Sequence, residues 1–310
     1  MQTIVALLKW VDLRPDVDRL TGSVRHDSRF FGCSAADQAA LEWALRLADR
    51  RLDNTAPTHV VALTAGPPDA DGLLREALAA GASHVVRVDL SPTAASDHVA
   101  TSLAVALESI PATLSIPAPT MVCAGDWSVD RGSGSVPAFV AARLGWGQAL
   151  GLVAVGLDPA SNPAFDLSPD EAAPAERRSL SPLTVTRRLD HGRREVLAVQ
   201  GPAVLSFEGG TTELRRASLA RVLRARDSTI TVVDGPHAPP SRVTVVHHGP
   251  DRPRPRALRP PNFDLSPRER VLSITGALVE RTPPRTVVAT PDDAAQMVLD
   301  QLRTWGYLPE

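Results

Sequence analysis

From Thr3 to Val155 the chain alternates short aliphatic runs with amphipathic ones, and this rhythm constrains the fold more than any other feature. Thr3–Lys9 (TIVALLK) is β-branched and aliphatic, as a buried strand is. Ala35–Leu52 carries Leu41, Trp43, Ala44, Leu45 and Leu47 with i, i+3 and i+4 pairs, and Ser34 precedes it as an N-cap. A strand at His59–Ala65 ends in Gly66-Pro67-Pro68. A helix at Asp69–Ala80 stops at Gly81, and a strand follows at His84–Asp89. A third helix, Ser96–Ile110, is ended by Pro111. Thr120–Ala124 is a fourth strand, Pro137–Leu144 a fourth helix ended by Gly145, and Gly151–Val155 a fifth strand.

Strand and helix at this spacing imply right-handed βαβ units and a parallel, Rossmann-like α/β sheet covered on both faces. Ligands of such sheets sit beyond the carboxyl ends of the strands, near the point where strand order reverses. The candidate binding segments are therefore Lys9–Asp12, Thr64–Pro67 and Gly125–Ser135.

The second half reads differently. Asp158–Pro182 is rich in Pro, Ser, Asp and Ala without periodicity, as a loop or insert is. Thr184–Leu189 and Glu195–Gln200 flank Asp190-His191-Gly192, a β-hairpin pattern. Ala203–Phe207 is a strand, Ser218–Ala225 a short basic helix and Thr229–Val233 another strand. Gly235–Asn262, with eight prolines and five arginines, reads as a long extended loop. Pro291–Gly306 is a helix with Ala294, Val298, Leu299 and Leu302 on one stripe. The expected division is a nucleotide-binding α/β domain over 1–235, and a proline-rich insert with a C-terminal arm over 236–310.

Composition narrows the function. A net charge of −2 lacks the basic excess of a nucleic-acid binder. No apolar run is long enough for a membrane span, and the start lacks the basic residues and cleavage site of a signal peptide, so a cytoplasmic protein is expected. Cys33 and Cys123 make no disulfide framework, and the eight histidines show no ligand spacing. Asp12, Asp16 and Asp18 read as a solvated loop rather than a metal site. Cys33 follows Gly32 in a loop, where a reactive thiol would be conceivable, whereas Cys123 is a small core residue. No acid, base and nucleophile cluster is evident, which favours a carrier or binding role over side-chain catalysis, and no catalytic residue is assigned.

The most informative stretch is Met121–Trp146. A strand ends at Gly125, a loop holds Asp130, Gly132, Ser133, Gly134 and Ser135, and a helix follows. Glycines permit close backbone approach, and free N–H groups at a helix start can hold a phosphate. The same residues would also serve as a plain glycine-rich helix entry. Neither a phosphate-binding P-loop nor a complete dinucleotide fingerprint is present.

These pieces resemble the electron transfer flavoprotein beta subunit. Ile4–Val11, Asp37–Leu47, Val61–Val88, Ala95–Ile110 and Gly125–Leu144 are each similar to a family block. The most specific is Val185–Ser206, where Arg187, Asp190, Gly192, Glu195, Pro202, Val204 and Leu205 occupy signature places and His191 departs. Ser218–Arg226 resembles the partner-recognition loop, with Leu219 in the place of the anchoring leucine. Pro283-Pro284-Arg285 and the last helix resemble the family's C-terminal arm. The resemblance implies an adenine-nucleotide-alpha-hydrolase-like sandwich paired with an alpha subunit that holds most of the FAD. It implies AMP, or a second FAD, in the beta chain, and electrons arriving from a flavoprotein dehydrogenase. Carried onto this sequence, it implies cofactor contacts at Leu7, Lys9, Ser34, Thr64, Ala65, Gly125, Asp130, Gly132, Ser133, Gly134, Ser135 and Val136. It implies partner docking at Leu219, Arg221, Arg224 and Arg226. Ser135 stands where the family has glutamine, and Pro137 where it has glycine, which removes an amide contact. A non-redox, stress-type adenine-nucleotide module is the alternative that the first half alone would support. It does not account for Val185–Arg226.

Overall fold

The computed structural model describes residues 2–18, 20–50, 58–156, 183–236, 262–275, 286–305 and 307. It divides into two compact units, Met1–Pro250 and Asp251–Glu310.

The first unit runs β1 (Gln2–Leu7), β2 (Trp10–Asp12), β3 (Asp16–Val17), β4 (Val24–Arg25), β5 (Phe31–Cys33), α1 (Ala35–Arg50) and β6 (Thr58–Gly66). It continues with α2 (Asp71–Ala80), β7 (His84–Asp89), α3 (Ser96–Leu114), β8 (Pro119–Gly125), α4 (Ser135–Leu144) and β9 (Gly147–Gly156). Beyond the undescribed stretch come β10 (Leu183–Arg188), β11 (Arg194–Val199), β12 (Ala203–Phe207), α5 (Leu219–Arg226) and β13 (Thr231–Asp234). The described part of the second unit holds α6 (Pro267–Ile274) and α7 (Pro291–Thr304).

Nine strands form one sheet in the order β11-β10-β9-β12-β8-β1-β6-β7-β13. From β9 to β13 every neighbouring pair is parallel. The hairpin β10–β11 closes one edge antiparallel. The expected α/β sandwich with a hairpin is therefore the fold observed. The order reverses beside β1: β6 lies on one side and β8 on the other, which puts the crevice at their carboxyl tips.

The period of two along β1 builds the two faces. Ile4 and Ala6 enter a core with Leu41, Ala44 and Leu45 of α1 and Leu73 and Leu74 of α2. Val5 and Leu7 enter a second core with Leu103, Leu107 and Ile110 of α3 and Val140 of α4. Ser34 does cap α1, accepting from the Asp37 N–H at 3.1 Å.

Several expectations are corrected. Pro111 does not end α3, which runs on to Leu114. So near the C-terminus a proline removes only a late helical hydrogen bond, and the exit comes at Ser115, which takes the left-handed conformation at φ 56°. β1 stops at Leu7, so Lys9 follows the strand instead of ending it. β9 begins at Gly147, not Gly151, because that glycine-rich stretch pairs with Ala203–Leu205 of β12. The helix expected from Asp69 starts as a 3₁₀ turn at Pro68–Ala70. The loop after Lys9 contains two small antiparallel ladders, β2–β5 and β3–β4. The loop over Asp158–Pro182 and most of Gly235–Asn262 lie outside the described residues.

In the second unit α6 begins with a reciprocal capping box between Ser266 and Glu269. Thr290 caps α7, which carries Met297, Val298 and Leu299 exposed.

Candidate functional site

A pocket opens where the tips of β1, β6 and β8 meet the starts of α3 and α4. Its apolar floor comes from Leu7, Val99, Leu103, Ala124 and Val136, and its rim from Trp10, Trp127, Ser128, Arg131, Ser133 and Ser135. Most implied cofactor residues meet here: Leu7, Lys9, Ala65, Gly125, Ser133, Gly134, Ser135 and Val136 line it. Asp130 joins them through Lys9, whose Nζ donates to both carboxylate oxygens at 2.6 and 2.7 Å. Burial works against the Asp130 carboxylate, but hydrogen bonds from Lys9 and Ser128 hold it below its ordinary range. Gly132 lies under the Trp127 ring, whose Nε1 would be 3.2 Å from an added Cβ. Ser34 and Thr64 sit behind the lining. The Ser34 hydroxyl caps α1, and Thr64 is fully buried in β6.

The residue that organises the crevice is Asp37, which sequence reasoning placed in a helix but not in the site. Its Oδ2 accepts from the Lys9 N–H at 3.0 Å and its Oδ1 from the Gly125 N–H at 3.2 Å. One carboxylate on α1 therefore ties the ends of β1 and β8 together. Burial pushes its pKa up to about 6, against the backbone donors that favour the ionised form. A Cβ at Gly125 would collide with this carboxylate, and one at Gly134 with the Asp126 carbonyl. Gly134 also holds φ 58°, so both positions demand glycine for close backbone approach. The available signal for Asp37 was an acidic residue three places after an N-cap serine. That pattern also fits an ordinary first turn.

The remaining candidates separate. Asp12 bonds His26 Nδ1 at 2.9 Å and the Arg14 N–H, Asp16 faces Arg25, and Asp18 accepts from Leu20 and Thr21. Among the described residues no group of three or more His, Cys, Asp and Glu is placed to hold a metal. Cys33 lies at the end of β5, and burial, with the Asp37 and Glu76 carboxylates, pushes its thiol well above the ordinary value. Cys33 thus stands in a strand instead of the expected loop, in surroundings that disfavour its thiolate. Burial pushes Cys123 up to about 12.

A second region lies on α5, which packs against α2. Leu219, Val222 and Leu223 are exposed on it, with Leu219 73% accessible. Arg221, Arg224 and Arg226 are exposed around them, and Arg226 pairs with Asp227. The segment entering α5 is fastened by Arg215. It donates from its backbone N and from Nε to Glu42 Oε2, both at 3.0 Å, and from Nη1 to Asp49 at 2.8 Å. Burial alone would raise the Glu42 carboxyl, yet Arg215 and Arg46 outweigh it and lower its pKa. On the hairpin, Arg187 pairs with Glu195, two of the signature residues, and Arg188 pairs with Glu208.

A crevice at a strand-order reversal, walled by a glycine loop and a helix start, stands where open parallel α/β sheets receive their ligands, which makes this an α/β protein of the Rossmann-like class. The chain belongs to the electron transfer flavoprotein domain family, whose model matches residues 31–238. It is similar to protein FixA of Azorhizobium caulinodans, at 31% identity over 63% of this chain and 61% of that protein. It is also similar to electron transfer flavoprotein subunit beta of Methylophilus methylotrophus, at 26% over 75% of this chain and 79% of that one. With the beta subunit of Mycobacterium bovis it shares 28% identity over 64% of each. The chain spans about three fifths of the length of the FixA relatives. The resemblance read from the sequence is thus to the family that the comparison identifies. No helix among the described residues is long and apolar enough to cross a membrane.

Proposed function

We propose that this chain is the beta-type subunit of a heterodimeric electron carrier, working in the cytoplasm with an electron transfer flavoprotein alpha subunit and a flavoprotein dehydrogenase. The observation that carries this reading is the pocket at the β1/β8 reversal in a member of this family. The residues present fit an adenine nucleotide. Glycines at 125 and 134 let the loop fold tightly against Asp37 and the Asp126 carbonyl, which shapes the pocket wall, while Leu7, Val99 and Val136 offer an apolar floor. Ser133 and Ser135, with hydroxyls 3.0 Å apart, stand at the α4 start, where N–H groups favour a phosphate. Shared with the alpha subunit, FAD would supply the electron carriage. This chain's part is to hold AMP or the adenine end of a second FAD, to keep water from it, and to present α5 to the dehydrogenase. Leu219 is the apolar anchor of that face, and Arg221, Arg224 and Arg226 suit an acidic partner patch. The apolar stripe of α7 suits the alpha subunit. The domain division at 235/236 belongs to this reading, with the first part binding nucleotide and the second embracing the partner.

The test is co-purification with an alpha-type chain, followed by an absorption spectrum and extraction of bound nucleotide. A complex with flavin and AMP, or with flavin in twofold amount, supports the carrier. A chain that binds adenine nucleotide but forms no flavin complex supports the stress-type alternative instead.

A further inference from the structure

Charge in the pocket is unevenly settled. Its charged lining residues are Lys9, Asp37 and Arg131. Asp130 neutralises Lys9 through both oxygens. The Asp37 carboxylate is buried and accepts from two backbone N–H groups. Arg131 differs. Among the described residues it has no carboxylate partner, and its Nη1 donates only to the Ser96 hydroxyl at 3.4 Å. Ser96 opens α3, whose N-cap Ala95 offers no side-chain acceptor to the first turn. Arg131 therefore connects the start of α3 with the loop that opens α4, and it stands exposed at the pocket rim.

We propose that Arg131 is the specificity-determining residue of this pocket, selecting a phosphate-bearing nucleotide over the bare nucleoside by donating to the phosphate oxygens. This rests on the nucleotide reading above and names the group that enforces it. A guanidinium presents its donors as a planar fork that matches phosphate geometry, and it stays charged at every accessible pH. Lys9 is already charge-paired with Asp130 through two of its three N–H groups, with Ser128 at 3.4 Å. The Ser96 hydroxyl accepts from Arg131 and keeps its own proton to donate to the same phosphate.

The test uses the purified full-length chain freed of bound nucleotide, with adenosine and AMP titrated by calorimetry. A charge-assisted contact of this kind predicts that the wild type prefers AMP by about tenfold or more. In Arg131→Ala that preference shrinks to near parity while adenosine affinity stays the same, and Arg131→Lys restores part of it. Circular dichroism confirms that the exposed substitution leaves the fold intact. If Arg131→Ala keeps the wild-type ratio of AMP to adenosine affinity, the role of Arg131 is refuted and the nucleotide reading stands. If the wild type takes up neither ligand, the nucleotide reading falls and takes this inference with it.

Discussion

At the strand tips Asp37 accepts from two strand ends and Gly125 has no room for a methyl group, whereas on α5 Leu219, Val222 and Leu223 stand exposed. The first region is made from backbone and buried polar groups drawn from far apart in the chain. The second is made from side chains on one short helix. A single helix serves both. α1 contributes Asp37 near its start, and Glu42 further along holds Arg215 and hence the approach to α5. The crevice should therefore respond to small changes of charge or volume, and the α5 face should lose its partner without losing its fold.

Removing the link between the regions gives the largest effect. Arg215→Ala leaves Glu42, whose side chain is 5% exposed, with Arg46 as its remaining cation. A loss of about 3 kcal/mol is expected, at the low end for breaking a buried pair, and denaturant unfolding measures it. Stability unchanged within error would mean that the two regions are independent.

The next effect isolates the crevice. In the unfolded chain the Asp37 carboxyl titrates near its ordinary 3.8, and in the fold at about 6. Between those values the folded protein holds a proton that the unfolded chain has released. Stability should fall by about 1.4 kcal/mol for each unit that pH rises through this window, then level off. Asp37→Asn should abolish this component. It should start from lower stability, because a carboxamide oxygen serves only one of the two N–H groups well. Urea midpoints of both proteins across the window decide the matter, and parallel profiles would remove Asp37 from its place.

The smallest effect on the fold tests the other region. Leu219→Ala should change stability by less than about 0.5 kcal/mol, as exposed substitutions do. It should slow electron delivery from the dehydrogenase about tenfold, as loss of a central apolar anchor does. Stopped-flow reduction of the complex checks this, and unaltered rates would show that docking lies elsewhere.

The order of strands and helices was legible because burial imposes a local period. Ile4 and Ala6 against Val5 and Leu7 declare two covered faces. Gly81 and Ser34 marked helix ends by chemistry that acts within a few residues. The short ladders β2–β5 and β3–β4 were not legible, since two or three residues carry no period. The early part of β9 was hidden by glycines that pair only because β12 lies alongside. In the site, the glycine loop announced itself, but Asp37 did not. Its partners at Lys9 and Gly125 lie 28 and 88 residues away, and no local spacing records such a meeting. Arg131 was hidden for a related reason, because its singularity appears only once Lys9 is seen paired with Asp130.

Two of the five tryptophans, Trp10 and Trp127, line the pocket, while Trp43 is buried between α1 and the sheet, stacked on Phe207. The molecule thus carries its own optical gauge. A heterocycle settling beside Trp127 changes emission from the rim while the Trp43 signal stays constant as an internal standard. Occupancy can then be followed by light in the unlabelled protein, and Trp127→Phe dims the channel that reports it.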